Sequence, residues 1–348
     1  MVPRALALVL AALALLAPGP MRAAEPSWEA FKAHFMTLDG RVMDPFHDNM
    51  SHSEGQGYAM LLAEAHGDRE AFDLLWHWTR DNLQARETDA LLAWSFGQRL
   101  PGQWRVMDFN NATDGDILVA YALLKAWERW GEDSFRDEAL RMAADIRQLL
   151  VVEQQGRLIL LPGYFGFHDS AMARHNPSYV VYPALDLFAQ YDDAQFWPRL
   201  KADSLAILAQ VMPQGPALPP DWVELQGGAV VRAYSGEATQ GFESVRVILY
   251  LAWAGELQSL PGLDELLQMA AGQDSLPIVT EDGTQALAID SMPQGFLAVL
   301  ARAAQESGRE EIAAAIGRRA DLESAAPGND YYSSVLALLS AMDQRTAP

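Results

Sequence analysis

Four acidic residues stand where the chain could use them for chemistry: Glu54, Asp114, Asp116 and Glu243. They occur in Ser53-Glu54-Gly55-Gln56, in Ala112-Thr113-Asp114-Gly115-Asp116 and in Gln240-Gly241-Phe242-Glu243, the last with Arg246 one helical turn on. Each group opens a run of apolar residues with helical period. A carboxylic acid that protonates a leaving oxygen, with a second carboxylate acting from the opposite side, is what breaking a glycosidic bond requires. The first turn of any helix also favours acidic residues through the helix dipole, and Thr113 with Asp116 could be a simple cap. Recurrence at alternate helix starts tips the balance toward chemistry. The same dipole favours the ionised form, so an acid at Glu54 needs an anionic neighbour, Asp116 or Glu243, or an apolar wall to keep its proton.

Other chemistries lack their parts. There is no cysteine, so thiol catalysis is excluded. Ser235 and Ser244 sit in no nucleophile elbow, and neither an HExxH zinc pattern nor a phosphate-binding glycine loop occurs. The seven histidines are scattered. His52 and His175, near the acidic groups, are expected as hydrogen-bonded loop residues rather than metal ligands.

Positioning those carboxylates falls to helices. Apolar periodicity predicts twelve, over 27–36, 53–66, 69–85, 114–130, 134–149, 177–190, 194–211, 241–255, 260–272, 291–306, 309–320 and 330–343. Ser53 and Gln56 read as a capping box for the second. Three hairpins are expected in the connections: 91–96 with 104–107, 151–153 with 158–161, and 222–225 with 229–234. The third and fifth helices are charge-rich and amphipathic, whereas the even ones carry long apolar runs such as 117–124 and 245–251. A helix apolar on most sides is a buried one. Alternation of the two kinds suggests concentric rings, the inner six helices parallel, with Glu54, Asp116, Glu243 and Tyr331 around one mouth.

Composition agrees with a neutral substrate. Acidic residues outnumber basic ones 46 to 25, and such a chain repels nucleic acid and anionic lipid. Residues 1–23 have the positive start, apolar run and small-residue end of a secretory signal peptide, with residues 24–348 as one catalytic domain. The run at 5–17 is shorter than the ~20 residues that a membrane span needs. Removing Arg4 and Arg22 with that segment takes the formal charge from −21 to −23. Ten tryptophans and ten tyrosines supply faces on which sugar rings could stack. Trp104, in the segment leading to Asp116, is expected to line a cleft, and Trp222 is a second candidate.

These segments resemble a known family. Ser53-Glu54-Gly55-Gln56-Gly57-Tyr58-Ala59-Met60-Leu61 is similar to the acid-bearing segment of glycoside hydrolase family 8. Ala112-Thr113-Asp114-Gly115-Asp116-Ile117, continuing to Ala120, Leu123 and Ala126-Trp127, resembles that family's signature helix. Asn176-Pro177-Ser178-Tyr179 and Asp221-Trp222-Val223 resemble the periplasmic cellulases of this family encoded with bacterial cellulose synthase. The resemblance implies an all-α fold, an (α/α)6 barrel with an open cleft, and inverting hydrolysis with no cofactor or metal. It implies Glu54 as general acid and Asp116 as a carboxylate at the distorted sugar. Arg246 and Tyr331 would be active-site supports, with Asp114 and Tyr179 binding substrate. This group usually has aspartate where the chain has Glu243, which leaves Glu243 and Asp116 as alternatives for the base. The expected substrate is a β-1,4-glucan, with the cellulose synthase machinery as a further partner. Other glycans (chitosan, xylan, mixed-linkage glucan) and a glucan-holding factor that does not cut are the alternatives.

Overall fold

The computed structural model describes residues 27–234, 243–280, 282–288, 292–323 and 331–342. The expected leader, Ser235, Gln240-Gly241-Phe242 and the residues just before Tyr331 lie outside them.

Twelve helices form among the described residues: α1 (Trp28–Phe35), α2 (Ser53–Ala65), α3 (Arg69–Leu83), α4 (Thr113–Trp130), α5 (Asp133–Leu149), α6 (Tyr182–Tyr191), α7 (Phe196–Val211), α8 (Ser244–Ala254), α9 (Leu263–Gly272), α10 (Gln294–Glu306), α11 (Glu310–Glu323) and α12 (Tyr331–Ala341). Each matches an expected helix. The sixth starts later than periodicity suggested, because Pro177–Tyr179 forms a separate 3-10 turn before it.

The even helices make a closed ring. α2 touches α4, α4 touches α6, and the contacts continue through α8, α10 and α12 back to α2. The odd helices pack outside, α3 on α2, α5 on α4, α7 on α6 and α11 on α10. The architecture is an (α/α)6 barrel. α4 shows why the rings differ: from Thr113 to Leu124 every side chain is buried, whereas α5 buries only Phe135, Ala139, Met142, Ala143 and Ile146.

Glycine sets the closest approach in the ring. A Cβ on Gly57 would lie 2.6 Å from Leu118 Cβ, and one on Gly115 only 2.2 Å from Ser53 Oγ. Neither position has room for a side chain, so α2 and α4 meet backbone to backbone at the mouth. Overpacking such a contact costs about 1–3 kcal/mol.

Short strands decorate the connections: β1 (Ser51–His52), β2 (Ser95–Gln98), β3 (Trp104–Asp108), β4 (Val151–Gln154), β5 (Arg157–Leu160), β6 (Met172–His175), β7 (Trp222–Gln226), β8 (Ala229–Tyr234), β9 (Ser275–Thr280) and β10 (Gly283–Ala288). The three expected hairpins are β2–β3, β4–β5 and β7–β8, all antiparallel. β1 adds to the first and β6 to the third. β9–β10, which turns between Thr280 and Gly283, was not among them.

Candidate active site

Arg246 organises the mouth. It lies in the first turn of α8, is 1% exposed, and its guanidinium reaches three carboxylates. Nη1 donates to Glu54 Oε2 at 2.5 Å and to Asp114 Oδ2 at 2.8 Å, and Nη2 stands 3.8 Å from Glu243 Oε2. Nη2 also donates to Ser178 Oγ at 3.0 Å. The contributing residues come from the first turns of α2, α4 and α8 and from the 3-10 turn before α6. Those helices therefore present their N-termini at one end, as the alternation of helix types suggested.

Exposure separates the three carboxylates. The Glu54 and Glu243 side chains are 26% and 33% exposed, whereas Asp114 is at 0%. Burial, and then the charge of Glu54, push the Asp114 carboxyl well above the usual carboxylate range, against the pull of Arg246. Burial and the Glu54 charge thus favour the protonated form of Asp114, which lies directly beside Glu54. Arg246 itself is raised well above its ordinary value: burial opposes its charge, and Glu54 leads the groups that overcome it.

The carboxylate of Asp116, expected at the mouth, has partners other than Arg246. Its Oδ1 accepts from the Leu92 N–H and its Oδ2 from Asn111 Nδ2, both at 2.7 Å, and it is fully buried. Asn111 in turn accepts from the Tyr164 N–H at 2.7 Å. Asp116 ties two loops together, each of its carboxylate oxygens held by one donor. Burial pushes it up to about 7 while those two donors pull it down.

The expected capping box is also replaced. Gln56 is buried and bonds instead to Val42 N–H, Gly40 O, Leu75 O and Thr79 Oγ1, a cross-link between α2, α3 and the loop after α1. The Ser53 N–H is satisfied by Trp94 O at 3.0 Å.

Tyrosines wall the guanidinium. The Tyr58 and Tyr250 hydroxyls meet at 2.8 Å, and Arg246 Nη1 reaches Tyr58 at 3.4 Å. Tyr179 lies with its ring 5.6 Å from the guanidinium. Tyr331 comes over Gly55, where a Cβ would stand 2.4 Å from the hydroxyl, and that hydroxyl has no hydrogen-bond partner. Burial, with Glu54's charge beside it, pushes Tyr331 well above the ordinary phenol range. Asn176 donates to Glu243 Oε2 and orients it. Asn176 and Ser178 had no assigned role in the sequence, although their place immediately before an inner helix was a usable signal.

The family profile described as Glycosyl hydrolases family 8 matches residues 2–346. An endoglucanase of Cellulomonas uda is 35% identical over 281 residues, 80% of this chain and 77% of the relative. One from Salmonella typhi is 33% identical, covering 90% of this chain and 85% of its own. Among solved structures, the endo-beta-1,4-glucanase CMCax from Acetobacter xylinum superposes with a TM-score of 0.75 at 30% identity, covering 93% and 98% of the two chains. The chain is a family 8 glycosyl hydrolase.

In this family 8 hydrolase two aromatic groups flank the carboxylates. On the α8 side, Phe167 stacks on Trp222 (5.7 Å, 13°), and Trp222 meets Tyr179 at 6.0 Å. On the other side, His52 stacks on Trp94 (5.7 Å, 21°). Trp104 is on β3, beyond β1 and β2. It is 38% exposed, so it is not core, and Arg41 covers one face of its indole at 3.7 Å. His175 is 1% exposed with Nδ1 2.9 Å from Leu160 O, and burial lowers it to about 4.

Proposed function

We propose that this family 8 hydrolase is an endo-β-1,4-glucanase in which Glu54 is the general acid and Glu243 the base. The supporting observation is the gathering of Glu54, Asp114 and Glu243 on the single guanidinium of Arg246. Glu54 protonates the leaving glycosidic oxygen as the bond to the anomeric carbon breaks. A water on the opposite face attacks that carbon and gives its proton to Glu243. Between turnovers buried Asp114 passes its proton to Glu54 and is recharged by the proton that Glu243 takes from water and releases, so it positions and recharges rather than attacks. Tyr331 packs over Gly55 and supports the first turn of α2 beside Glu54, and Tyr179 and Trp222 offer ring faces; Trp104 is a platform further along.

Inverting enzymes keep their carboxyls ~6.5–9.5 Å apart to admit water, and retaining ones ~5–5.5 Å. Glu54 and Glu243 approach different nitrogens of Arg246, with the guanidinium between them, which favours the wider gap and inversion. Relatives named endoglucanase in Salmonella typhi and Acetobacter xylinum favour β-1,4-glucan over chitosan, xylan or mixed-linkage glucan. Residues 1–23 direct export to the periplasm or outside, and no described helix is long and apolar enough to cross a membrane. Association with cellulose synthesis is part of the same proposal. Reducing-sugar release from carboxymethylcellulose tests it: turnover by the wild type and its loss in Glu54→Gln are expected. A wild type that binds this polymer without cutting it would turn the assignment toward a glucan-holding factor.

A further inference from the structure

The segment leading into α2 gathers ligand-type side chains outside the carboxylate cluster. Asp44, His47 and His52 bring one carboxylate oxygen and two ring nitrogens within 4.8 Å of one another. Asp44 Oδ2 lies 2.6 Å from His47 Nδ1 and 3.9 Å from His52 Nε2. The backbone holds this arrangement: Asp44 bridges to Met50, and Asp48 and Asn49 between them take φ of 52° and 56°. Asp44 Oδ1 accepts from the Phe46 N–H at 2.9 Å, which turns Oδ2 toward the rings. The stack on Trp94 fixes the His52 ring.

We propose that Asp44, His47 and His52 bind one divalent transition-metal ion of the zinc type. Zinc in tetrahedral coordination takes histidine nitrogens and carboxylate oxygens at ~2.0–2.2 Å, which puts ligand atoms ~3.3–3.5 Å from one another. The two separations from Asp44 Oδ2 fall on either side of that spacing, so small side-chain rotations bring the three atoms to it. Two imidazoles and one carboxylate select zinc, nickel or copper over magnesium and calcium. The His47 side chain is 70% exposed, which gives the ion an entry path and leaves the fourth position to water. Asp44 and His47 alone would make an ordinary ion pair three residues apart; the third ligand, brought by β1, turns the pair into a site. The metal takes the place of the hydrogen bond between Asp44 and His47, with neutral His47 carrying its proton on Nε2 and no change of oxidation state.

The ion has no part in bond cleavage. His52 directly precedes Ser53 and Glu54, so the metal fastens the 44–52 loop to the first turn of the acid-bearing helix. The test is calorimetric titration of the chelator-stripped full chain with Zn²⁺, with Co²⁺ as a visible-absorption probe. One equivalent is expected, with the intense visible bands of a low-coordinate Co²⁺ site bleached by added Zn²⁺. His47→Ala and Asp44→Asn should weaken that event at least about tenfold, while exposed His77→Ala leaves it unchanged. His47→Ala is at the surface and should hydrolyse glucan at the wild-type rate without metal, which separates lost binding from lost folding. Equal stoichiometry and affinity in wild type and His47→Ala, or no binding by wild type in the micromolar range, would overturn the site.

Discussion

Asp114 and Asp116 stand two residues apart at the start of α4, are equally buried, and live in opposite worlds. Asp114 faces Glu54 and Arg246; Asp116 faces Leu92 and Asn111. A helix turns about 100° per residue, so positions i and i+2 point about 200° apart. One aspartate therefore turns into the mouth while the other turns toward the loops that brace it. Two identical side chains in a single motif meet different partners because the helix geometry turns them apart. Gly115 between them lets α2 approach closely enough for Glu54 to reach the first.

The largest effect expected from this contrast is on the Asp114 side. Glu54→Gln keeps the shape while removing the transferable proton, so kcat on carboxymethylcellulose should fall about 10²–10⁴-fold in a variant that still folds, with a lowered thermal midpoint because buried Arg246 loses its leading counter-charge. Retention of most of the rate would take the acid role from Glu54. Glu243→Gln should come next. Turnover collapses while substrate affinity holds, because a water-activating base contributes little to ground-state binding. Proton NMR of the first anomer formed sharpens that result. Fresh α-product from a β-glucan is expected, and fresh β-product would place a covalent intermediate in the path and remove Glu243 as water base.

The smallest effect lies on the scaffold side, in the pH dependence of folding. His175 is held neutral by burial, its folded value of about 4 lying below the ordinary 6.5. As pH falls the unfolded chain takes the proton first. Its contribution to stability is complete above 6.5 and is lost as pH drops through about 4, a change of about 3 kcal/mol. Asp116, pushed up to about 7, works oppositely: its contribution is complete below 3.8 and is lost as pH rises through 7. Comparing denaturation of wild type and His175→Gln across this range cancels the Asp116 part. Parallel curves would show that His175 does not titrate as its burial implies.

Much of this architecture was legible in the sequence, because period and burial are coupled: the long apolar runs of α4 and α8 could only be inner helices, and the charged face of α5 only an outer one. Of the four residues that parallel inner helices were expected to bring to one mouth, Glu54 and Glu243 meet at Arg246 and Tyr331 lies over Gly55. What the sequence concealed was direction. The capping-box pattern at Ser53 and Gln56 was a false signal, since Gln56 is pulled inward by four partners, in α3 and the loop after α1, that no local pattern reveals. The partners of Asp116 were hidden for a related reason: its two donors, Leu92 and Asn111, lie in irregular loops, where side-chain partners are set by tertiary packing. The β9–β10 hairpin was missed although Asp282-Gly283 is a turn signal, because its second strand is exposed and weakly apolar. The Asp44–His47–His52 group needed three-dimensional distances to become visible.

The central claim is that the working aspartate of α4 is Asp114. It is tested most directly by measuring kcat and thermal midpoint together for Asp114→Asn and Asp116→Asn. Asparagine reproduces a protonated Asp114 in shape but cannot supply its proton, so that variant should stay folded and lose about 10²-fold or more in kcat. Asparagine at 116 must turn an NH2 toward one of two donors. That should cost about 1–3 kcal/mol of stability, with the folded fraction retaining kcat within a few-fold. The reverse outcome, a stable Asp116→Asn without turnover beside a nearly normal Asp114→Asn, would contradict the account.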